Sequence, residues 1–297
     1  MIRVEQLSKT YGDVRAVREV SFAVERGELF GLIGPDGAGK TSLIRILTTL
    51  LRADSGTATV GGYDVVTDYR AIRNTVGYMP GRFSLYQDLS IEENLHFFAT
   101  LFGTTVRENY AVIRPIYEQI EPFKKRRAGQ LSGGMKQKLA LCCALVHQPT
   151  VLFLDEPTTG VDVVSRKEFW DMLGLLKSQG MTILVSTPYM DEASLCDRIA
   201  LIQEGKILSV DTPAAIPGQY RGILLAVRAD EIYALLKDLR ALPWLKSCYA
   251  FGESIHCTVG QPADAARLRE ALTGHSNLEV KEIPASIEDC FIQLMNP

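Results

Sequence analysis

Eight consecutive residues, Gly34-Pro35-Asp36-Gly37-Ala38-Gly39-Lys40-Thr41, follow the pattern G-x-x-x-x-G-K-[ST]. They lie between a continuous apolar run, Leu29–Ile33, and a stretch that carries Leu43, Ile44, Ile46, Leu47, Leu50 and Leu51 at helical spacing. In that strand-loop-helix setting the pattern is a phosphate cradle. Glycines let the backbone turn tightly, and several amides then face an anion at the positive end of the helix. Lys40 is placed to reach the β- and γ-phosphates of a nucleoside triphosphate, and Thr41 to ligate Mg²⁺.

A second chemical segment is Val151-Leu152-Phe153-Leu154-Asp155-Glu156. A carboxylate at the end of a buried strand is costly to desolvate unless a cation holds it, which makes Asp155 the candidate Mg²⁺ partner. Glu156, next along and directed elsewhere, is placed to orient or deprotonate an attacking water. The third segment is Leu131-Ser132-Gly133-Gly134-Met135-Lys136-Gln137. Ser132 reads as a helix N-cap, with the glycines leaving amides open at the helix's positive end, a second anion site.

These residues need a scaffold. Up to about Thr212, short apolar runs alternate with helical patterns: Leu29–Ile33, Val151–Leu154 and Thr182–Val185 read as parallel strands buried on both faces, and a helix is expected over about Val163–Ser178. Between about Phe83 and His147 the patterns are helical, a helical insert opened by the capping box Ser90-Ile91-Glu92-Glu93. From Tyr220 the order changes. Strands are expected at Gly222–Val227, twice within Cys248–Val259 and at Leu278–Ile283, with helices at Asp230–Arg240 and Ala263–Leu272, the β-α-β-β-α-β order of a ferredoxin-like domain. Thr212–Gly218, with Pro213, Pro217 and Gly218, reads as the linker. The expected division is residues 1–215 and 219–297.

Composition narrows the function classes. A net charge of −3 gives no basic footprint for nucleic acid. The six cysteines form no CxxC pair and no zinc-spaced cluster, which fits reduced thiols in a cytosolic chain. No run of apolar residues is long enough to span a bilayer, and the N-terminus enters a strand-like pattern without an apolar leader. If a membrane is involved, another chain must cross it.

Together the three segments resemble an ABC-transporter ATPase: the phosphate loop, the LSGGMKQ signature and the LFLDEP strand stand in that family's order. The resemblance covers about Met1–Asp211. It implies an α/β fold, a P-loop NTPase with a RecA-like parallel-sheet core, a β-subdomain and the helical insert, followed by the small α+β appendage. It implies ATP and Mg²⁺ as ligands, Glu156 as the catalytic residue, Thr41 and Asp155 on the metal, and nucleotide contacts from Tyr11 and from Gly34, Pro35, Asp36, Gly37, Ala38, Gly39, Lys40, Thr41 and Ser42. Tyr11 stands where the family places an adenine-stacking aromatic. The family stacks two subunits head to tail, so that Leu131, Ser132, Gly133, Gly134, Met135, Lys136 and Gln137 close over the partner's ATP, and Asp162, in Thr158–Asp162, meets the other subunit. Gly77-Tyr78-Met79-Pro80, the signature, Ser186–Ala193 and the ending Ala285–Phe291 are most similar to the ABC-2 type exporters. The partners implied are a second ATPase subunit, identical or not, and a multi-span permease, with no nucleic acid. The implied location is cytoplasmic, peripheral on the inner face of the cell membrane.

Two positions depart from the family pattern. Gly81 stands where the family has a glutamine that touches Mg²⁺ and water, and Pro188 where it has a histidine that grips the γ-phosphate. Both groups act on the nucleotide of their own subunit, so a partner ATPase cannot replace them. Losing one such contact costs roughly a hundredfold in rate, so hydrolysis is expected to be slow; Thr187 and Tyr189 are the neighbours able to share the histidine's task. Two other readings compete: a soluble ABC ATPase without a membrane partner, and a nucleotide-binding regulator with weak hydrolysis. One phosphate loop and no sustained heptad run argue against the first of them. Arg82-Phe83-Ser84-Leu85-Tyr86 falls, by resemblance, near the groove that receives a cytoplasmic permease helix, and Lys124–Arg127 reads as a solvated loop.

Overall fold

A computed structural model describes Met1–Met295. The chain divides into two compact units, Met1–Pro213 and the remainder from Ala214.

The first unit begins with β1 (Ile2–Tyr11), β2 (Val14–Val24) and β3 (Leu29–Ile33), then the phosphate loop and α1 (Lys40–Leu47). β4 (Ser55–Val60), β5 (Tyr63–Asp64), α2 (Tyr69–Thr75) and β6 (Val76–Met79) follow, then α3 (Ile91–Leu101), α4 (Tyr110–Tyr117) and α5 (Gly133–Leu145). The unit closes with β7 (Val151–Asp155), α6 (Val163–Ser178), β8 (Thr182–Thr187), β9 (Arg198–Gln203) and β10 (Lys206–Asp211). β2-β1-β4-β5 form an antiparallel sheet, and β10-β9-β3-β8-β7-β6 a mainly parallel one with β10 as its antiparallel edge.

The central strands β3, β7 and β8 are buried at every position, as expected of strands covered on both faces. Register sets their ends together: Ile33 lies beside Thr187 and Asp155 beside Ser186. The phosphate loop, Asp155 and the turn after Thr187 therefore meet at the carboxyl ends of adjacent strands, where open α/β sheets place their ligands.

α1 stops earlier than the apolar spacing predicts. The Thr48 hydroxyl takes the Ile44 carbonyl at 2.8 Å, Thr49 turns into the left-handed region with φ 62°, and Leu50 ends up exposed. The Ser90 box forms as expected: Ser90 Oγ accepts from the Glu93 amide at 3.2 Å, and the Ser90 amide donates to Glu93 Oε2 at 2.7 Å.

The second unit contains β11 (Ile223–Arg228), α7 (Ile232–Arg240), β12 (Ser247–Phe251), β13 (Ser254–Val259), α8 (Asp264–Ala271), β14 (Glu279–Glu282) and α9 (Ile287–Met295). Its antiparallel sheet runs β12-β13-β11-β14, the ferredoxin-like arrangement. One face, with Leu225, Val227, Ile255, Cys257 and Val259, packs against Leu235 and Leu239 of α7 and Leu268 and Leu272 around α8. The other carries a polar network: His256 Nδ1 lies 2.7 Å from Asp289 Oδ1 of α9, and the Thr258 hydroxyl contacts those of Tyr220 and Ser247. α9 was not anticipated from the sequence; Cys290 Sγ and Gln293 tie it to Ile216 and Arg221. Among the described residues, no helix is long and apolar enough to cross a membrane.

Candidate functional site

The phosphate loop is shaped by close backbone approaches. A Cβ on Gly34 would sit 2.1 Å from the Ile202 carbonyl oxygen, and one on Gly39, whose φ is 103°, 2.2 Å from that of Ala16. Only glycine fits at either place. The turn between β9 and β10 completes the clamp: the Gly205 amide donates to the Ala38 carbonyl at 2.9 Å, and the Arg18 amide to the Gly205 carbonyl at 2.7 Å.

Lys40 is buried to 2% exposure. Its Nζ donates to the carbonyls of Gly34 (2.7 Å) and Pro35 (2.9 Å) and pairs with Glu156 Oε1 at 3.0 Å. A buried ammonium requires such partners, and three acceptors match its three donors. Glu156 reaches Lys40 from a left-handed backbone, φ 51°, with its amide held by the Ser186 carbonyl and hydroxyl, each at 3.1 Å. A non-glycine residue at positive φ costs about 1–3 kcal/mol and clusters at functional sites.

Thr41 Oγ1 and Ser186 Oγ both donate to Asp155 Oδ1, at 3.0 and 2.9 Å. Burial raises the Asp155 carboxyl above its ordinary value; the Ser186 and Thr41 hydroxyls oppose this, and Glu156 adds to it. A carboxylate whose charge is resisted in this way gains strongly from a nearby cation. Thr41 and Asp155 offer oxygen atoms alone, the donors a hard divalent ion such as Mg²⁺ prefers. Tyr11 extends a 45% exposed ring beside the loop, its hydroxyl 3.4 Å from Ser42 Oγ.

The structure thus brings Tyr11, Lys40, Thr41, Ser42, Asp155 and Glu156 into one neighbourhood. Leu131–Gln137 has other neighbours. Ser132 caps α5 by accepting from the Met135 amide at 3.3 Å, and Gly134 lies so close to α6 that a Cβ there would be 2.6 Å from Ser165 Oγ. Gln137 Nε2 donates to the Pro157 carbonyl, and Lys136 lies over the Phe83 ring. Among the described residues, no hydrogen bond or ion pair joins this segment to the phosphate loop. Ser132 and Gly133, at the start of α5, are exposed. Asp162 caps α6 through the Ser165 amide at 2.9 Å, and the next two residues, Val163 and Val164, are 79% and 68% exposed. That exposed valine pair escaped the sequence reading, although its signal, two adjacent valines just after a helix cap, was present.

The two departing positions are sterically and chemically filled. A Cβ on Gly81 would lie 2.8 Å from the Asp155 carbonyl oxygen. Around Pro188, the Thr187 hydroxyl donates to buried Glu192 at 2.5 Å and accepts from the Tyr189 amide at 3.1 Å. The Tyr189 ring lies 4.1 Å from the Arg166 guanidinium, which also approaches Glu192 and Asp191. The Thr187 hydroxyl and the Tyr189 ring are therefore both held by local partners.

Comparison with known proteins places the chain in a family. The ABC transporter family model matches residues 17–159. The probable multidrug ABC transporter ATP-binding protein YbhF of Escherichia coli is 39% identical over 95% of this chain, and the chain spans half of that relative's length. The Nod factor export ATP-binding protein I of Burkholderia lata is 36% identical over 99% of this chain and 96% of its own. A solved structure described as an ATP-binding subunit of an ABC transporter superposes with a TM-score of 0.67 at 28% identity, covering 74% of this chain and 92% of that one. With a phosphate loop and an adjacent carboxylate pair on one α/β core, and a relative of 36% identity matching almost end to end, this chain belongs to the ATP-binding proteins of ABC transporters, a family of P-loop ATPases.

Proposed function

We propose that the chain is the ATP-hydrolysing subunit of an ABC-2 type exporter, working as a head-to-tail pair beneath a separate multi-span permease on the inner face of the cell membrane. The observation that carries this reading is the split site. Lys40, Thr41, Asp155 and Glu156 converge at one place, while among the described residues Leu131–Gln137 makes no hydrogen bond or ion pair to the phosphate loop and starts with exposed Ser132 and Gly133. Two copies, or this chain and a similar one, complete both sites by exchanging signatures.

In that pair the phosphate-loop amides and Lys40 take the β- and γ-phosphates, and Tyr11 takes the adenine ring. Thr41 and Asp155 would hold Mg²⁺, whose charge would balance that of the phosphate oxygens. Lys40 must exchange Glu156 for phosphate oxygens, and the freed Glu156 carboxylate then faces the attacking water. The exposed valines beside Asp162 support a subunit contact there. An apolar groove of about 490 Å³, lined by Met79, Pro80, Leu85, Phe98, Leu101 and Phe102 among others, suits a permease helix. It includes Ser84 and Leu85 of the segment singled out in the sequence.

Slow turnover belongs to the proposal, since Gly81 and Pro188 carry no side-chain donor and the Thr187 hydroxyl already donates to Glu192. The test is pairing. Purified Glu156→Gln protein should shift from monomer to dimer on sizing with ATP and Mg²⁺, and the wild type, recovered in mild detergent from native membranes, should bring a multi-span permease. A monomer under both conditions, or recovery with ribosomes or DNA, would overturn the reading.

A further inference from the structure

The second unit holds three cysteines, none of them used by the ATPase reading, and two stand on adjacent strands. Cys248 of β12 and Cys257 of β13 are direct cross-strand partners. Two observations fix which type of pair they form. β12 and β13 are joined by Gly252-Glu253 alone, with Phe251 opposite Ser254. In a two-residue hairpin the closing pair is hydrogen-bonded and the pairs then alternate, which makes Cys248 and Cys257, three pairs further on, non-hydrogen-bonded. Independently, the Ile283 amide donates to the Leu224 carbonyl at 3.0 Å, so the Leu224 backbone is turned toward β14 and its neighbour Leu225 toward β13. Leu225 pairs with Cys257, whose backbone is therefore directed to β11 and away from β12.

Non-hydrogen-bonded partners are the closer kind, with Cα atoms about 4.5 Å apart, inside the range of roughly 4.4–6.8 Å that a disulfide spans. Both side chains lie on the helix-covered face: Cys257 is in the core and Cys248 packs against it from the margin. We propose that Cys248 and Cys257 form a cross-strand dithiol site that a peroxide-class oxidant closes to a disulfide.

The two thiols have unequal roles. Cys248 is the partly exposed one, and the Arg240 guanidinium at the end of α7 acts on its thiol. Burial raises its thiol above the ordinary value, and the guanidinium draws it back. Cys257 is fully buried and pushed up to about 12, chiefly by burial and also by Cys248. Cys248 thiolate therefore attacks the peroxide O–O bond, giving a sulfenic acid and hydroxide. The Cys257 thiol then attacks that sulfur, the S–S bond forms, and the sulfenic oxygen leaves as water with the thiol's proton. In net terms two thiols and one hydrogen peroxide give one disulfide and two waters.

The test treats the full chain with hydrogen peroxide, blocks remaining thiols, and maps peptides without reduction. The expected result is a Cys248–Cys257 linked peptide that dithiothreitol removes, with Cys290 of the same unit still reduced. Formation should speed up about tenfold from pH 7 to pH 8, as the thiolate fraction rises below its midpoint. Cys248→Ser, a mild change at a partly exposed position, should abolish the link and leave Cys257 reduced; Arg240→Gln should slow it severalfold. Far-UV circular dichroism should stay constant, because the hairpin already holds the two strands in place. Linkage to Cys290 instead, over-oxidation of Cys248 without a link, or equal Cys257 oxidation in Cys248→Ser would overturn the proposal.

Discussion

Replacing Glu156 by glutamine isolates the charge of the group that holds Lys40. The carboxylate lies 3.0 Å from Nζ and is 22% exposed. At an effective dielectric of about 20, that separation gives a gross attraction of roughly 5–6 kcal/mol. Most of it is offset by desolvation, and glutamine keeps a carbonyl that accepts from Lys40. A net difference of about 1–2 kcal/mol remains, and it opposes the entry of phosphates, which need the same ammonium. Removing the negative charge should therefore tighten ATP binding about 5- to 30-fold, while loss of the proposed general base should slow phosphate release by roughly 10²–10⁴-fold. Titration of a fluorescent ATP analogue and a phosphate-release assay on the same preparation measure both effects. Unchanged or weaker binding would refute the competition at Lys40, and equal rates of phosphate release would refute the role of Glu156.

Other outcomes follow from the same contacts. Burial raises the folded-state carboxyl of Asp155 above its ordinary value, so the wild type loses stability as pH climbs from about that ordinary value of 3.8 through the raised one. Asp155→Asn should consequently be the more stable protein at neutral pH without nucleotide, the gap closing in acid; urea unfolding at several pH values measures it, and a gap that widens in acid would contradict the assignment. Ser132→Ala removes the α5 cap and should cost about 1 kcal/mol in the same unfolding assay. It should also weaken ATP-dependent pairing of the Glu156→Gln protein on sizing, whereas nucleotide affinity of the monomer should stay as it was.

Much of this site was readable from the residues because local rules and the fold agree there. The strand, glycine loop and helix around Lys40 follow each other within twenty residues, and the Ser90 box is an entirely local signal. What escaped reading rests on local signals that override or lack a period and on contacts between distant segments. The apolar spacing continues through Leu50 and Leu51, yet Thr48 and Thr49 end α1 with a side-chain bond and a left-handed turn. β6 hides in Val76–Met79 because a four-residue strand containing glycine has no period to detect. The Lys40–Glu156 pair and the Arg166–Tyr189 contact join residues far apart in sequence, so spacing does not announce them. α9 has a helical pattern, but that the segment covers the second sheet face is decided by His256 and Asp289.

The main-chain clamp on the phosphate loop, through Gly34, Gly39 and Gly205, has an energetic consequence. A cradle cast by neighbouring backbone is preorganised, and a nucleotide entering it immobilises few new bonds of the protein. Little binding energy is then consumed in ordering the receptor. What remains is free to act on whatever is mobile, above all the exchange of partners at Lys40 and the proposed docking of a second molecule.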